Sequence, residues 1–501
     1  MSLTRRAFVR LSATAALAPA VGRALQNPLD SAATHQKLAS DPLRPQYHLL
    51  PARNWMNDPN GPIFFRGRYH MFHQFNPRGA IWGNMNWAHA TSPDMFHWQH
   101  EPIALSPTPG GPDQDGVFSG SAVLDNGTPT LIYTGVAPPT ANDATLRDGS
   151  HTWRETQCLA TAQDHDLRTW KKLPTPVIAA PPPGLEVTGF RDPALWREGD
   201  KWMLILGSGI RGKGGTILLY SSRDLRRWTY LHPLVEGTFS GKDSTNPVDT
   251  GDMWECPDFF PIGNKHVLLI STMGKVRWKV GTYVNQKFTP EKEGVVDWGN
   301  YYAAKTMLDR VGRRIIWGWI TEARPDADLL KAGWAGAMSL PRVLSLSPDD
   351  QLQTSVAPEA NMLRAKSIVE NQTTHTSEAI QIRDLAAELD LRVRSLTGDF
   401  RLHLYSGAAD FASIGCNDKG RTVRVNELTC PLPTKRDANS RLHIFLDGSV
   451  MEVFIDDLNA MTARVYNIPP GPLRLRLEGD AIVLSLSAWQ ITPVSKNRLT
   501  S

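Results

Sequence analysis

Short apolar runs bounded by Gly, Pro, Asn and Asp dominate the chain, and helical periodicity is scarce. Such runs read as strands joined by turns. Thr130–Thr134, Lys201–Leu206 and His266–Ile270 are examples. Past Ser347-Pro348-Asp349-Asp350 the texture changes to clean alternation, as in Thr422–Val425 and Leu473–Leu477. Strands with one wet face predict an antiparallel β-sandwich there. Arg441–Leu446, Asp447-Gly448 and Val450–Ile455 read as a hairpin, because Asp-Gly suits a two-residue turn.

A loose repeat occupies the earlier part. Ser92–Trp98, Asp164–Trp170 and Ser221–Trp228 each carry an Asp, an apolar residue shortly after it, and a closing Trp. Copies at that spacing suit four-stranded propeller blades with long loops. Of the 16 Trp, all but Trp489 fall at or before Trp334. The fold class expected is therefore all-β, a propeller followed by a sandwich. The expected segments are an export signal over 1–25, a linker over 26–45, a propeller over 46–347 and a sandwich over 355–495.

Composition narrows the function classes. The chain has 501 residues, 41% hydrophobic and 21% charged, enough to bury a large core. Its 54 basic and 50 acidic residues are interspersed, for a net charge of +4. That balance points to no nucleic acid and no anionic membrane as partner. No apolar run reaches the 18 or so residues of a spanning helix. At the N-terminus, Thr4-Arg5-Arg6-Ala7-Phe8-Val9-Arg10 precedes a short apolar run and small residues, with cleavage expected after Ala20 or Ala24. The pattern resembles a bacterial twin-arginine signal and implies a periplasmic or extracellular protein. Export would permit disulfides, yet four Cys make no framework, and any pairing of Cys416 with Cys430 stays open. Cys158 and Cys256 read as buried thiols.

Three carboxylates sit in unusual surroundings: Asp58 in Trp55-Met56-Asn57-Asp58-Pro59-Asn60-Gly61, Asp192 in Phe190-Arg191-Asp192-Pro193, and Glu255 in Trp254-Glu255-Cys256-Pro257. Asp-Pro-Asn-Gly is also a good β-turn, and Arg191-Asp192-Pro193 could be a turn with a local ion pair. Glu255, between Trp and Cys, is expected to be partly desolvated. A trio of this kind on a Trp-rich β scaffold suits sugar cleavage. One carboxylate attacks, a protonated one serves the leaving oxygen, and aromatic faces hold the sugar.

These segments are closely similar to glycoside hydrolase family 32, the invertase, inulinase and levanase family, from about Tyr47 to Trp489. Trp82-Gly83-Asn84, Phe118-Ser119-Gly120-Ser121, Tyr301–Thr306, Trp317-Gly318-Trp319 and Leu340-Pro341-Arg342 match as well, and several stretches resemble plant acid invertases. The resemblance implies a five-bladed propeller plus sandwich and a retaining β-fructofuranosidase. It makes Asp58 the nucleophile, Glu255 the acid/base and Asp192 the transition-state stabiliser. It assigns Asn57, Gln74, Trp82, Phe118, Ser119, Arg191, Trp55 and Trp319 to a fructose pocket, and implies neither cofactor nor metal. The partner is a small carbohydrate, sucrose or a fructan end. A fructan exohydrolase with little sucrose activity and a fructosyltransferase are the alternatives.

Other stretches read as structural. His70 and His73 lack a third metal ligand, Asp113–Gly116 reads as a surface loop, and Arg211–Gly215 as a turn. Glu452 with Asp447 reads as a cross-strand charge in the hairpin. The resemblance to plant acid invertases implies an acidic loop on the leaving-group side, and the matching stretch Ser271–Trp278 has no carboxylate; this departure puts a strict sucrose preference in doubt, and a basic, aromatic subsite there could suit fructan ends instead. Trp254 is expected inside or beside the sugar pocket.

Overall fold

A computed structural model describes residues 32–139, 146–147, 152–242, 244–373, 380–394, 400–416, 421–432, 439–479 and 482–500. The export signal and its cleavage sites lie outside these residues. Up to residue 356 the chain builds five antiparallel sheets in succession. Their first strands are Asn54–Phe65, Gly116–Asp125, Val187–Glu198, Glu255–Ile262 and Tyr301–Leu308. Each first strand packs on that of the next sheet, and Tyr301–Leu308 packs back on Asn54–Phe65. The five therefore form a closed ring with the later strands radiating outward, which is a propeller. The seam is closed by a parallel pairing of Asn54 and Trp55 with Trp334 and Ala335.

The repeat read from the sequence is a real turn. It joins the third and fourth strands of the first three blades. Asp94, Asp164 and Asp224 each accept two backbone N–H bonds through Oδ1. Met95, Leu167 and Leu225 then adopt a left-handed conformation and are buried. The Trp170 and Trp228 indoles donate back to the carbonyls of Leu167 and Leu225.

Residues 364–491 form two six-stranded sheets packed face to face on an aliphatic core that includes Leu389, Leu402, Val423, Ile444 and Leu475. Two expected boundaries move. Leu352–Val356 is the last strand of the fifth blade, so Ser347–Asp350 is a hairpin turn inside that blade rather than a domain border. The expected linker contains a helix, Ala32–Ser40, followed by a strap whose Arg44 is fully buried against the carbonyls of Pro51 and Ala52.

Asp447 and Glu452 do not face each other across the hairpin, where Asp447 is opposite Val450 and Glu452 opposite Phe445. Both are fully buried and form the joint between propeller and sandwich. Asp447 accepts the backbone N–H groups of Gln46, Tyr47 and His48. The His48 ring spans the two acids, with Nδ1 2.7 Å from Asp447 Oδ2 and Nε2 2.9 Å from Glu452 Oε1. Arg342 binds Glu452 at 2.5 Å and Asp297 at 2.9 Å. Burial alone would lower the His48 pKa, but hydrogen bonds and charge from the two carboxylates outweigh it and raise it to about 9. The bridge thus stabilises the fold fully below the unfolded value near 6.5, and is lost as pH rises through about 9. In urea unfolding, the stability gap between the native protein and His48→Gln is expected to be largest below about pH 6.5 and to shrink towards pH 10. A gap independent of pH would show that His48 is not charged in the folded protein.

Candidate active site

All five inner strands carry a β-bulge or irregularity at one end of the ring. The register slips between Met56 and Pro59, Phe118 and Gly120, Arg191 and Ala194, Glu255 and Asp258, and Tyr302 and Lys305. Asp58, Ser119, Asp192 and Cys256 lie inside these slips, and Glu255 and Tyr302 flank them. A bulge re-aims a side chain that regular pleating would send into a neighbouring blade. Pro193 and Pro257 lie inside two of the slips, where a missing N–H breaks no ladder bond, and Pro59 borders a third. The Asp-Pro pairs are therefore bulges within strands, not the turns their sequence also allows. Asp192, Cys256 and Ala303 adopt positive φ (65°, 47° and 53°), and non-glycine backbone of this kind is concentrated at functional sites.

The bulges bring the three carboxylates together. Ser119 Oγ donates to Asp58 Oδ2 at 2.6 Å, and Asn57 Nδ2 to Asp58 Oδ1 at 3.0 Å. Asn57 is held in turn by the Trp55 indole N–H at 2.7 Å. The Cys256 thiol lies 3.5 Å from both Asp58 Oδ2 and Asp192 Oδ2, and its backbone N–H donates to Asp192 Oδ2 at 2.9 Å. Arg191 Nη2 binds Glu255 Oε1 at 2.8 Å, while Nη1 binds Glu155 Oε1 at 2.9 Å. Tyr302 donates its hydroxyl to Glu255 Oε2 at 2.8 Å.

Electrostatics follow from crowding. Burial pushes the Asp192 carboxyl up to about 7; Arg191 opposes the rise, and Glu255 and Asp58 add to it. Burial likewise raises Asp58, against hydrogen bonds from Ser119 and Asn57. The Cys256 thiol is driven well above its usual range by burial and by the two aspartates, so it remains a neutral S–H beside them.

The remaining expected residues divide by place. Trp82 and Phe118 form an aromatic cluster with Trp153, with ring centroids 5.4–6.0 Å apart. Trp319 meets Trp55 edge-on at 5.6 Å, and its Nε1 is buried without a protein partner. Gln74 donates to the Val117 carbonyl, which leaves its buried Oε1 without a protein partner. Gly336, at φ 80°, lies so close to this corner that a Cβ would stand 2.0 Å from the Met56 carbonyl.

Several readings change. Trp254 is core, not pocket: its ring covers Gly215 and Gly237, where a Cβ would meet it at 2.3 and 2.7 Å, and it packs with Phe259 and Leu268. Trp278 is also core, and Lys275 is occupied by the carbonyls of Trp298 and Gly299, so a basic, aromatic subsite does not form from them. Asp113 is buried beneath Tyr133 and Lys172 rather than on a surface loop. All four cysteines are free. Glu155, Tyr302, Trp153 and the siting of Cys256 escaped the sequence reading. Glu155 and Trp153 lie on a middle strand, Thr152–Ala162, with no motif around them. Among the described residues no His, Cys, Asp and Glu cluster could hold a metal ion, and no helix is long and apolar enough to cross a membrane.

Comparison with known proteins places the sequence and the fold in one family. Residues 48–356 match the glycosyl hydrolases family 32 N-terminal domain, and 357–490 match the family's C-terminal domain. A sucrose-6-phosphate hydrolase of Escherichia coli is 35% identical over 89% of this chain and 94% of its own length. A raffinose invertase of the same species is 34% identical over 89% and 95%. Among solved structures, a β-fructofuranosidase of Bombyx mori superposes with a TM-score of 0.78 at 26% identity, covering 92% of this chain and 97% of that one. A fructan 1-exohydrolase of Cichorium intybus gives 0.76 at 25% identity, covering 90% and 98%. Variants of these two enzymes have been solved with sucrose and with 1-kestose, respectively. The chain belongs to glycosyl hydrolase family 32 and is a glycoside hydrolase of the β-fructofuranosidase type.

Proposed function

We propose that the protein is an exported, retaining β-fructofuranosidase that removes terminal fructose from sucrose or fructan ends. The observation that carries this reading is the convergence of three carboxylates at one end of the ring: Cys256 bridges Asp58 and Asp192, and Arg191, next to Asp192 in the chain, holds Glu255. Asp58 is the nucleophile. Ser119 and Asn57 each donate to one of its oxygens and so fix the orientation of the carboxylate. Glu255 donates its proton to the leaving oxygen. The resulting fructosyl ester on Asp58 is hydrolysed by water activated by the now ionised Glu255. Such a double displacement needs the two carboxyls roughly 5–5.5 Å apart. Asp192 binds sugar hydroxyls and strengthens its hold as positive charge develops on the ring. Trp319 Nε1 and Gln74 Oε1 are a donor and an acceptor suited to the sugar. Trp82 and Phe118 supply apolar faces, and Trp55 acts through Asn57.

The export reading rests on the arginine pair and apolar run of residues 4–20. Cell fractionation, with a Lys-Lys replacement of Arg5-Arg6 that abolishes export, tests it. Retention is checked by NMR: the first product is expected to be β-fructofuranose, and α-fructofuranose would sink the covalent route.

Asp58→Asn is expected to lower kcat by at least about 10³-fold with the fold intact. Glu255→Gln is expected to lose about 10²–10⁴-fold on sucrose and far less on a fructoside whose leaving group needs no proton. Equal losses on both substrates would remove the acid role. Relative turnover of sucrose, sucrose 6-phosphate, 1-kestose, inulin and levan decides the preferred substrate. New oligosaccharides as the main product at high sucrose would make the enzyme a transferase.

The raised carboxyls also fix a pH dependence. Asp192 must be ionised to act, so kcat/KM is expected to fall on the acid side towards about pH 7, above the usual carboxylate range. Because its folded pKa is raised, ionised Asp192 destabilises the fold above about pH 7, and the penalty vanishes below about 3.8. Asp192→Asn is therefore expected to be inactive yet to melt higher than the native enzyme at pH 8 and not at pH 4. A lower melting temperature at pH 8 would contradict the penalty.

A further inference from the structure

Glu255 has an identified donor on each oxygen, and the two donors differ in kind. Arg191 Nη2 occupies Oε1 and can only donate. The Tyr302 hydroxyl at Oε2 can donate or accept. A proton on Glu255 therefore belongs on Oε2, where the phenol can turn to accept it or give way to the leaving oxygen. The opposite end of Arg191 is held by Glu155, a fully buried carboxylate. Glu155 is anchored through Oε2 by the Phe190 N–H at 2.6 Å. One guanidinium thus divides its charge between two buried acids, only one of which faces the site.

Resting on the reading of Glu255 as the acid/base, we propose that Glu155 and Tyr302 are positioning residues that set its proton affinity in opposite directions. Glu155 draws the guanidinium charge away from Glu255, and so keeps Glu255 protonated to higher pH. Tyr302 donates to the ionised carboxylate, and so favours release of the proton. Hydrogen bonds to a charged acceptor are stronger than those to the neutral acid, which fixes the sign of the second effect. The pair leaves Glu255 able both to give a proton in the first step and to take one from water in the second.

The test is the alkaline limb of kcat/KM for sucrose in the full-length enzyme and its Glu155→Gln, Tyr302→Phe and Glu255→Gln variants. Glu155→Gln is expected to move the limb down by about one pH unit, and Tyr302→Phe to move it up by a similar amount. A merely structural role would depress kcat at every pH and leave the limb in place. Limbs that stay fixed, or move in the same direction, overturn the proposal. Should Glu155→Gln fail to fold, Tyr302→Phe alone decides it, an unmoved or lowered limb overturning the idea. Glu255→Gln separates the two levels. If it keeps the native limb, the acid/base reading fails first. If it loses the limb while the other two variants leave it unchanged, only this proposal fails.

Discussion

A single guanidinium makes the centre of this protein tenable. Asp58 and Asp192 are bridged by Cys256, Glu255 and Glu155 by Arg191, and the two groups are neighbours through the adjacent pairs Arg191-Asp192 and Glu255-Cys256. Burying four carboxylates around one directly paired guanidinium, with the Lys305 ammonium bound nearby to the Pro257 carbonyl, is unfavourable unless some of them give up their charge or find donors. The molecule does both. Asp58 and Asp192 are pushed towards protonation, while Ser119, Asn57, Tyr302 and backbone N–H groups satisfy the oxygens. In the mechanism proposed above the tension is useful, because a site that resists full ionisation when empty stabilises positive charge forming on a sugar ring.

That cluster exists only because the inner strands bulge at a common level. A propeller of regular strands would alternate its side chains into the flanking blades, where Leu, Ile and Met fill the space. The five slips turn one residue per blade out of that pattern. The cost is visible as left-handed backbone at Asp192, Cys256 and Ala303. The surrounding core, with Trp254 wedged over Gly215 and Gly237, is packed tightly enough to hold it.

Much of this was legible in the sequence, for identifiable reasons. The Asp-apolar-Trp turns announce themselves because each Asp caps its own backbone locally, and local hydrogen bonds leave local motifs. Asp58, Asp192 and Glu255 stand out because Pro and aromatic neighbours are rare around surface acids. Glu155 does not, since its partner Arg191 is on another blade and nothing in Thr152–Ala162 marks an acid that faces inward. Asp447 and Glu452 misled for the same reason. A carboxylate beside an Asp-Gly turn suits solvent, and its burial is decided by His48 and Arg342, distant in sequence. Trp254 and Trp278 misled in the opposite way: a Trp beside the Glu255 motif, or in a basic stretch after it, suggests a sugar platform, yet the glycines beneath them (Gly215 and Gly237 under Trp254, Gly294 under Trp278) make each a plug between blades.

The seam of the ring has a consequence for how the enzyme is made. The first blade meets the strand pair Trp334–Ala335 only when the chain returns to residue 54 from the far side of the propeller. Synthesis is vectorial, so a ribosome that has released four blades holds an open arc whose two ends are uncovered apolar blade faces, with the Asn54–Trp55 edge still waiting for its seam partner. Contacts between residues so distant in sequence form late and slowly, and exposed edges invite pairing with other chains. Trp55, whose indole aligns Asn57, forms part of that seam. The Asn54–Trp55 edge is therefore among the last to be paired, although the rest of its strand pairs early with Arg68–Asn76. An arrested or truncated chain would carry most of the blades and no organised centre.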